Sequence, residues 1–171
     1  SLFFITVFSH AQNPVPGLLK NADKNRLAFN FSPSLKMYKQ VLAIEPKNIH
    51  ALDAIIDIYL IDYAIFDSAK IYLDRRISFA TPDTNYLIYY KYAECLRMQE
   101  NHIEALEYFE FYRKHMTKAE VRLGMLITLN KSIDYSQNAL KNKELIYEPY
   151  LVENMGFFIN SVDAEYTPVF I

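Results

Sequence analysis

The sequence predicts an all-α protein: a stack of about three helical hairpins with one further packing helix, followed by an extended C-terminal tail. Two observations predict this fold. Apolar side chains recur three to four residues apart between residues 15 and 129, as they do on one face of an α-helix. One helix-pair pattern also occurs three times at a spacing of about 34 residues. A single hairpin cannot bury its own apolar face, so repeats of this length stack on one another.

Each copy of the repeat combines large aromatic side chains with small alanines at the helix contacts. The clearest copy pairs Tyr89, Tyr92, Ala93 and Leu96 with Ala105, Tyr108, Phe109 and Tyr112. The second copy pairs Leu52, Ile55, Ile56 and Tyr59 with Ala69, Tyr72 and Leu73, and a weaker first copy contains Phe31, Tyr38 and Val41. This spacing is typical of tetratricopeptide repeats, and it assigns residues 12–130 to a tetratricopeptide-like domain.

Helix starts are marked by residues that satisfy free backbone N–H groups. Ser32 precedes Pro33, which suits the first position of a helix. The pairs Asn101 with Glu104 and Thr117 with Glu120 have capping-box spacing. The seven predicted helices span roughly residues 15–29, 33–45, 48–62, 67–79, 83–99, 102–115 and 118–129. The short connections between them predict antiparallel neighbours.

The pattern changes after residue 130. Asn130, Lys131 and Ser132 interrupt the helical periodicity, so residues 131–158 are predicted to be a linker with at most one short helix. Residues 159–171 are β-prone, and Pro168 confines that stretch to an edge strand. An isolated strand cannot satisfy its own backbone, so we expect its partner strands beyond Ile171.

The first residues of the chain predict export. Residues 2–8 are apolar, and Ser9 and Ala11 place small side chains at the first and third positions of a cleavage site. We therefore expect residues 1–11 to be the end of a signal peptide, cut after Ala11. The alternative is a short strand or helix of the core. The run is too short to span a bilayer.

Composition and motifs argue against catalysis and several ligand classes. The net charge is -2 and no basic cluster occurs, so we expect no nucleic-acid partner. The three glycines are too dispersed for a phosphate-binding loop, and Cys95 has the apolar flanks of an inert buried thiol. His50, Asp53 and Asp57 share one helix face, but no second segment completes a metal site. No catalytic constellation, cofactor site or metal site is predicted.

The repeat register predicts a binding groove. The first helix of each hairpin lines the concave face of such a stack, and the polar residues placed there are Asp23, Arg26, His50, Asp53, Asp57, Tyr90, Glu94 and Arg97. These groups suit an extended or helical peptide held by charge-assisted hydrogen bonds. The alternative is a solvated helix face. Tyr86, Tyr90 and Phe111 are not needed for core packing and would form an apolar interface if they cluster.

One C-terminal segment resembles a known family. Residues 160–170 read N-S-V-D-A-E-Y-T-P-V-F, and they resemble the entry to a WD-like β-propeller in OmpA-family proteins of gliding-type Gram-negative bacteria. Residues 134–138 resemble the linker of that family. The resemblance implies tetratricopeptide repeats, a propeller and a peptidoglycan-binding domain, and some members serve type IX secretion and gliding. Peptidoglycan binding would belong to domains outside this sequence.

The sequence therefore predicts a non-catalytic protein–protein interaction module of a periplasmic, outer-membrane-associated protein. Its partner would be a protein or peptide in the periplasm or at the outer membrane. Two alternatives stay open: a free-standing chaperone-like or regulatory repeat protein, and an accessory domain of an enzyme encoded beyond Ile171.

Overall fold

A computed structural model describes residues 13–81 and 85–144, and within these ranges the chain is helical and contains no β-strand. The α-helices of the described ranges are α1 (Val15–Leu27), α2 (Phe31–Ile44), α3 (Ile49–Asp57), α4 (Phe66–Ile77), α5 (Leu87–Met98), α6 (His102–His115), α7 (Lys118–Arg122) and α8 (Met125–Glu144). A π-helical turn, Ile58–Asp62, continues α3. The predicted signal segment and the predicted propeller strand lie outside the described residues.

The helices pack as a stack of hairpins. α1 packs on α2, α3 on α4, and α5 on α6, while contacts of α2 with α3 and of α4 with α5 join successive hairpins. At the end of the stack, α8 packs against α6 and α5. The predicted all-α stack of three hairpins and one packing helix is therefore confirmed. None of the described helices is both long enough and apolar enough to cross a bilayer.

The core runs through the whole stack. One apolar cluster joins α1, α2 and α3, and a second joins α3 to α8. Tyr59 and Tyr72 pack against both clusters, with stacked rings whose centroids are 5.9 Å apart. Ala69 and Ala105 are fully buried, as the repeat pattern predicts for its small positions. Each fully buried large apolar side chain contributes about 1.5–3 kcal/mol relative to an exposed one.

The end of the helical array differs from the prediction. A single predicted helix over residues 118–129 is instead the short α7 and the long α8, separated by Gly124 with φ +80°. α8 continues through Asn130 to Ser132, where the sequence predicts a break. Asn130 and Lys131 are exposed and Ser132 is half-buried, while Leu129 and Ile133 are buried against the rest of the stack. The start of the predicted linker is therefore helical.

Capping follows the prediction at one of three sites. Thr117 and Glu120 form the expected capping box. Asn101 makes no side-chain cap, and its Nδ2 instead donates to Glu104 Oε2 at 2.7 Å. α2 begins at Phe31, so Ser32 lies inside its first turn and not before it. The turns within the hairpins contain Phe29, Ala64 and Glu100 at φ values of 58°, 52° and 60°.

Candidate functional site

The eight predicted groove residues lie on the first helices of the three hairpins. Asp23 and Arg26 belong to α1, whereas His50, Asp53 and Asp57 belong to α3. Tyr90, Glu94 and Arg97 belong to α5. We call this set, together with Lys91, the polar strip, because hydrogen bonds and ion pairs connect its members from one helix to the next.

At the α1 end, one carboxylate accepts two hydrogen bonds. Tyr38 Oη donates to Asp23 Oδ1 at 2.5 Å, and His50 Nε2 lies 2.7 Å from the same oxygen. Burial alone would raise the pKa of Asp23, but these hydrogen bonds and the charges of His50 and Arg26 outweigh it, so the pKa is lowered. Burial and the neighbouring carboxylate raise the pKa of Tyr38 to about 12. Asp23 is therefore ionised and holds α1, α2 and α3 together.

The centre of the polar strip is an ion triad across three hairpins. Arg26 Nη2 on α1 lies 3.0 Å from Asp57 Oδ2, and Lys91 Nζ on α5 lies 2.5 Å from Asp57 Oδ1. The Asp57 side chain is 19% exposed to solvent. Asp57 is therefore a connecting group between α1, α3 and α5 and not a free surface charge.

Asp53 has a partner on a second helix. Arg76 of α4 is buried, and its Nε donates to Asp53 Oδ1 at 3.1 Å. Burial raises the pKa of Asp53, although the charges of Arg76 and Lys91 oppose the shift. This pair fixes α4 against α3 within the second hairpin.

The α5 end of the strip extends onto α8. Arg97 Nη2 and Nε donate to Glu94 Oε2 at 2.7 and 2.9 Å, and Ser132 Oγ donates to Glu94 Oε1. The Arg97 guanidinium lies over the Tyr135 ring, 5.0 Å from its centroid. The Tyr90 ring packs on Phe109 and Tyr112 of α6, and burial followed by the Glu94 charge raises the pKa of Tyr90. Tyr90 is therefore partly a core residue.

Two cavities open beside the polar strip, and the π-helical turn contributes to the lining of each. The first has a volume of about 570 Å³ and is lined by Asp23, Arg26, Leu27, Phe29, Phe31, His50 and Asp62. The second, which we call the central cavity, has a volume of about 420 Å³. Its wall is apolar at Leu60, Ile61, Ala64, Phe66, Leu87 and Met98, and it is bordered by Tyr90, Lys91, Glu94 and Arg97. Each cavity thus combines apolar surface with charged groups.

Sequence reasoning missed four of the groups that complete the strip: Arg76, Lys91, Ser132 and Tyr135. Lys91 follows Asp57 by 34 residues, one repeat period, so the repeat itself contained the signal for this pair. Arg76 belongs to a second helix, whose register against the first the pattern does not specify. Ser132 and Tyr135 lie in the region predicted as linker.

The groups considered for metal binding and thiol chemistry have other partners. His50 contacts Asp23, Asp53 binds Arg76, and Asp57 binds both Arg26 and Lys91. The described part of the chain contains no cluster of three potential metal ligands. Cys95 is buried as predicted, and its Sγ donates to the Phe66 carbonyl at 3.3 Å. Burial raises the pKa of this thiol to about 11, so it is a poor nucleophile at neutral pH.

The three aromatic residues predicted to be left over separate into two groups. Tyr86 and Phe111 lie 6.0 Å apart, and both contact His115, at 4.3 and 4.4 Å between ring centroids. Tyr90 instead borders the central cavity. The apolar surface around Phe111 is therefore distinct from the polar strip.

Comparison with known proteins adds no family assignment, because no protein-family model matches the chain and no significant match is found among curated proteins. Function is consequently argued from the fold and from the geometry of these surfaces.

Proposed function

We propose that this protein is a non-catalytic interaction module that binds an extended or helical segment of a partner protein along the polar strip. One observation carries the proposal: Asp57 joins Arg26 and Lys91, so the first helices of three hairpins present one continuous polar surface. Stacked helical repeats commonly use this surface for binding.

The central cavity supplies the apolar part of such a contact. Its volume of about 420 Å³ accommodates a large side chain of a bound segment. Lys91 has three donors, and within the described ranges one of them is bound, to Asp57, so the others can serve a carboxylate or carbonyl of the partner. We therefore expect an apolar side chain in the cavity, with an acidic or carbonyl group nearby on the bound segment.

The setting of this module is also a proposal. We infer that it works in the periplasm, as part of an outer-membrane-associated OmpA-family protein, and that any contact with peptidoglycan is made by other domains. The resemblance of residues 160–170 and the signal-like residues 1–11 support this setting. Amino-terminal sequencing of the exported protein should then find Gln12 as its first residue, and the coding sequence after Ile171 should continue into propeller strands. A mature protein that retains residues 1–11 would contradict export by this signal.

A matched pair of substitutions tests the binding surface. Ile61 lines the central cavity with 67% of its surface exposed, whereas Ile71 lies on α4, away from both cavities beside the strip, with 66% exposed. Ile61→Asp and Ile71→Asp therefore add the same charge at equally exposed positions, and both variants should fold. Partners recovered from membrane extracts with the wild-type protein should be lost with Ile61→Asp and kept with Ile71→Asp. Equal recovery by both variants would contradict binding at the central cavity.

A further inference from the structure

A separate cavity lies between α5 and α6. Its volume is about 360 Å³, and its lining is Tyr89 from α5 with Glu107, Tyr108 and Phe111 from α6. None of these four residues lines the central cavity. We call this site the aromatic pocket, since three of its four lining side chains are aromatic.

The rings of the aromatic pocket are held in place by their neighbours. The Tyr89 and Tyr108 rings are nearly parallel, at 14° with centroids 6.3 Å apart, and Phe111 meets Tyr89 edge to face at 4.7 Å. Tyr92 packs edge to face against Tyr108 at 4.6 Å, and His115 contacts Phe111 at 4.4 Å. The aromatic faces are thus oriented before any ligand arrives, which lowers the entropic cost of binding.

The pocket has a negative environment. Glu107 is exposed and forms no ion pair with any residue in the described ranges, whereas Glu110 is bound to Arg113 at 2.6 Å. Among the residues that the structure describes, Glu104, one turn earlier on α6, forms a side-chain hydrogen bond with the neutral amide of Asn101 and no ion pair. Burial raises the pKa of Tyr108, and the charges of Glu104 and Asp74 raise it further, whereas the charge of Lys70, the ion-pair partner of Asp74, opposes the shift. A cation in the pocket would therefore contact aromatic side chains and a carboxylate that forms no ion pair within the described ranges.

We propose that the aromatic pocket binds the guanidinium group of an arginine side chain on a partner protein. A guanidinium is planar and weakly hydrated, so it stacks on aromatic faces while its N–H groups bind a carboxylate such as that of Glu107. A lysine ammonium is compact and strongly hydrated, and it gains less from such a flat surface. This site goes beyond the proposed polar strip and does not depend on it.

Nuclear magnetic resonance titration of the full chain tests the proposal with blocked single-residue probes. The probes are N-acetyl-arginine amide, its uncharged isostere N-acetyl-citrulline amide, N-acetyl-lysine amide and free arginine. Saturable shifts of the Tyr89, Tyr108 and Phe111 ring resonances are expected with the blocked arginine probe. The citrulline and lysine probes should bind several-fold more weakly. Free arginine should bind as well, because it carries the same guanidinium group and the same net charge as the blocked arginine probe.

Two variants and one control connect the shifts to the pocket. Glu107→Gln removes the carboxylate charge, and Phe111→Leu removes a ring. Each variant should lower the affinity for the blocked arginine probe about two- to fivefold. Glu110→Gln is the control, because that carboxylate is bound to Arg113 outside the pocket lining, and it should leave the affinity unchanged. Thermal melts verify that Phe111→Leu is folded, and Glu107→Gln changes only an exposed group. Equal binding of the citrulline or lysine probe, or no binding of either arginine probe, would overturn the proposal.

Discussion

Replacing Asp57 with asparagine should destabilise the stack, because the carboxylate binds cations from two neighbouring hairpins. The substitution keeps the shape of the side chain but removes the charge that faces Arg26 at 3.0 Å and Lys91 at 2.5 Å. A hydrogen bond to a charged group contributes about 1.5–3 kcal/mol, whereas an exposed ion pair contributes about 0.2–1 kcal/mol. Asp57 is 19% exposed but Arg26 is 35% exposed, so solvent screens part of the triad. We therefore expect a loss of about 1–3 kcal/mol.

Thermal unfolding followed by far-ultraviolet circular dichroism measures this loss. For a chain of this size each kcal/mol lowers Tm by about 2–4 °C, so a loss near 2 kcal/mol corresponds to about 4–8 °C. The difference from wild type should shrink at about 1 M salt, where the Debye length falls to about 3 Å. Asp134→Asn is a suitable control, since Asp134 is exposed and has no ion-pair partner in the described ranges.

A double-mutant cycle then isolates the link between the second and third hairpins. Asp57→Asn and Lys91→Met should each destabilise, and together they should cost less than the sum of the two, with a coupling of about 0.5–3 kcal/mol. A structural role for the triad is refuted if Asp57→Asn and Asp134→Asn have the same Tm, or if the coupling energy between Asp57 and Lys91 is zero within error.

Three further predictions concern packing, backbone strain and pH. Ala105→Leu should overpack a fully buried position and cost about 1–3 kcal/mol, and an unchanged Tm would show that this contact has room. Glu100→Gly should raise the free energy of unfolding, measured with urea, by about 0.5–1 kcal/mol, because glycine adopts the φ of 60° at this position without strain. A lower free energy of unfolding for the variant would contradict backbone strain at Glu100. Burial of His102, followed by the charges of Lys143 and Arg97, lowers its pKa in the folded state. The unfolded chain then binds more protons than the folded chain, so the free energy of unfolding should fall as pH drops below about 6.5. Thermal melts at several pH values should show a weaker dependence of Tm on pH for His102→Gln than for the wild type.

The helical array could be predicted because its periodicity is strong. The first six predicted helices correspond to α1–α6, with ends shifted by a few residues. The π-helical turn could not be predicted, since Ile58, Tyr59, Leu60 and Ile61 are all apolar and give no preferred face. Its geometry is defined by the hydrogen bond from Tyr63 N–H to the Ile58 carbonyl at 2.9 Å, which joins residues five apart.

The continuation of α8 past residue 129 was not predicted, because its buried stripe is narrow and includes a polar residue. Leu129, Ile133 and Ser136 are buried at helical spacing, and the serine interrupts an otherwise apolar pattern. The neighbouring polar side chains at 130, 131 and 134 are exposed, as expected for the outer face of one continuous helix. The spacing of residues 129, 133 and 136 was therefore the one signal in the sequence that the helix continues past residue 130.

The helices that carry the candidate residues were predicted, whereas the contacts between those residues were not. The repeat register placed Asp23, Arg26, Asp57 and Glu94 on first helices, and these helices do present one connected strip. Their partners depend on helix rotation and crossing, which periodicity does not specify, so the pairing of the buried Arg76 with the half-buried Asp53 is visible only in the structure.

Site-specific photocrosslinking in the native host tests most directly whether the polar strip is a binding surface. A benzoyl-phenylalanine residue is placed either at Ile61, on the wall of the central cavity, or at the equally exposed Ile71 on α4. If a partner binds along the polar strip, irradiation should give discrete crosslinked products from position 61 and none from position 71. The absence of products from position 61, or the same products from both positions, would contradict it.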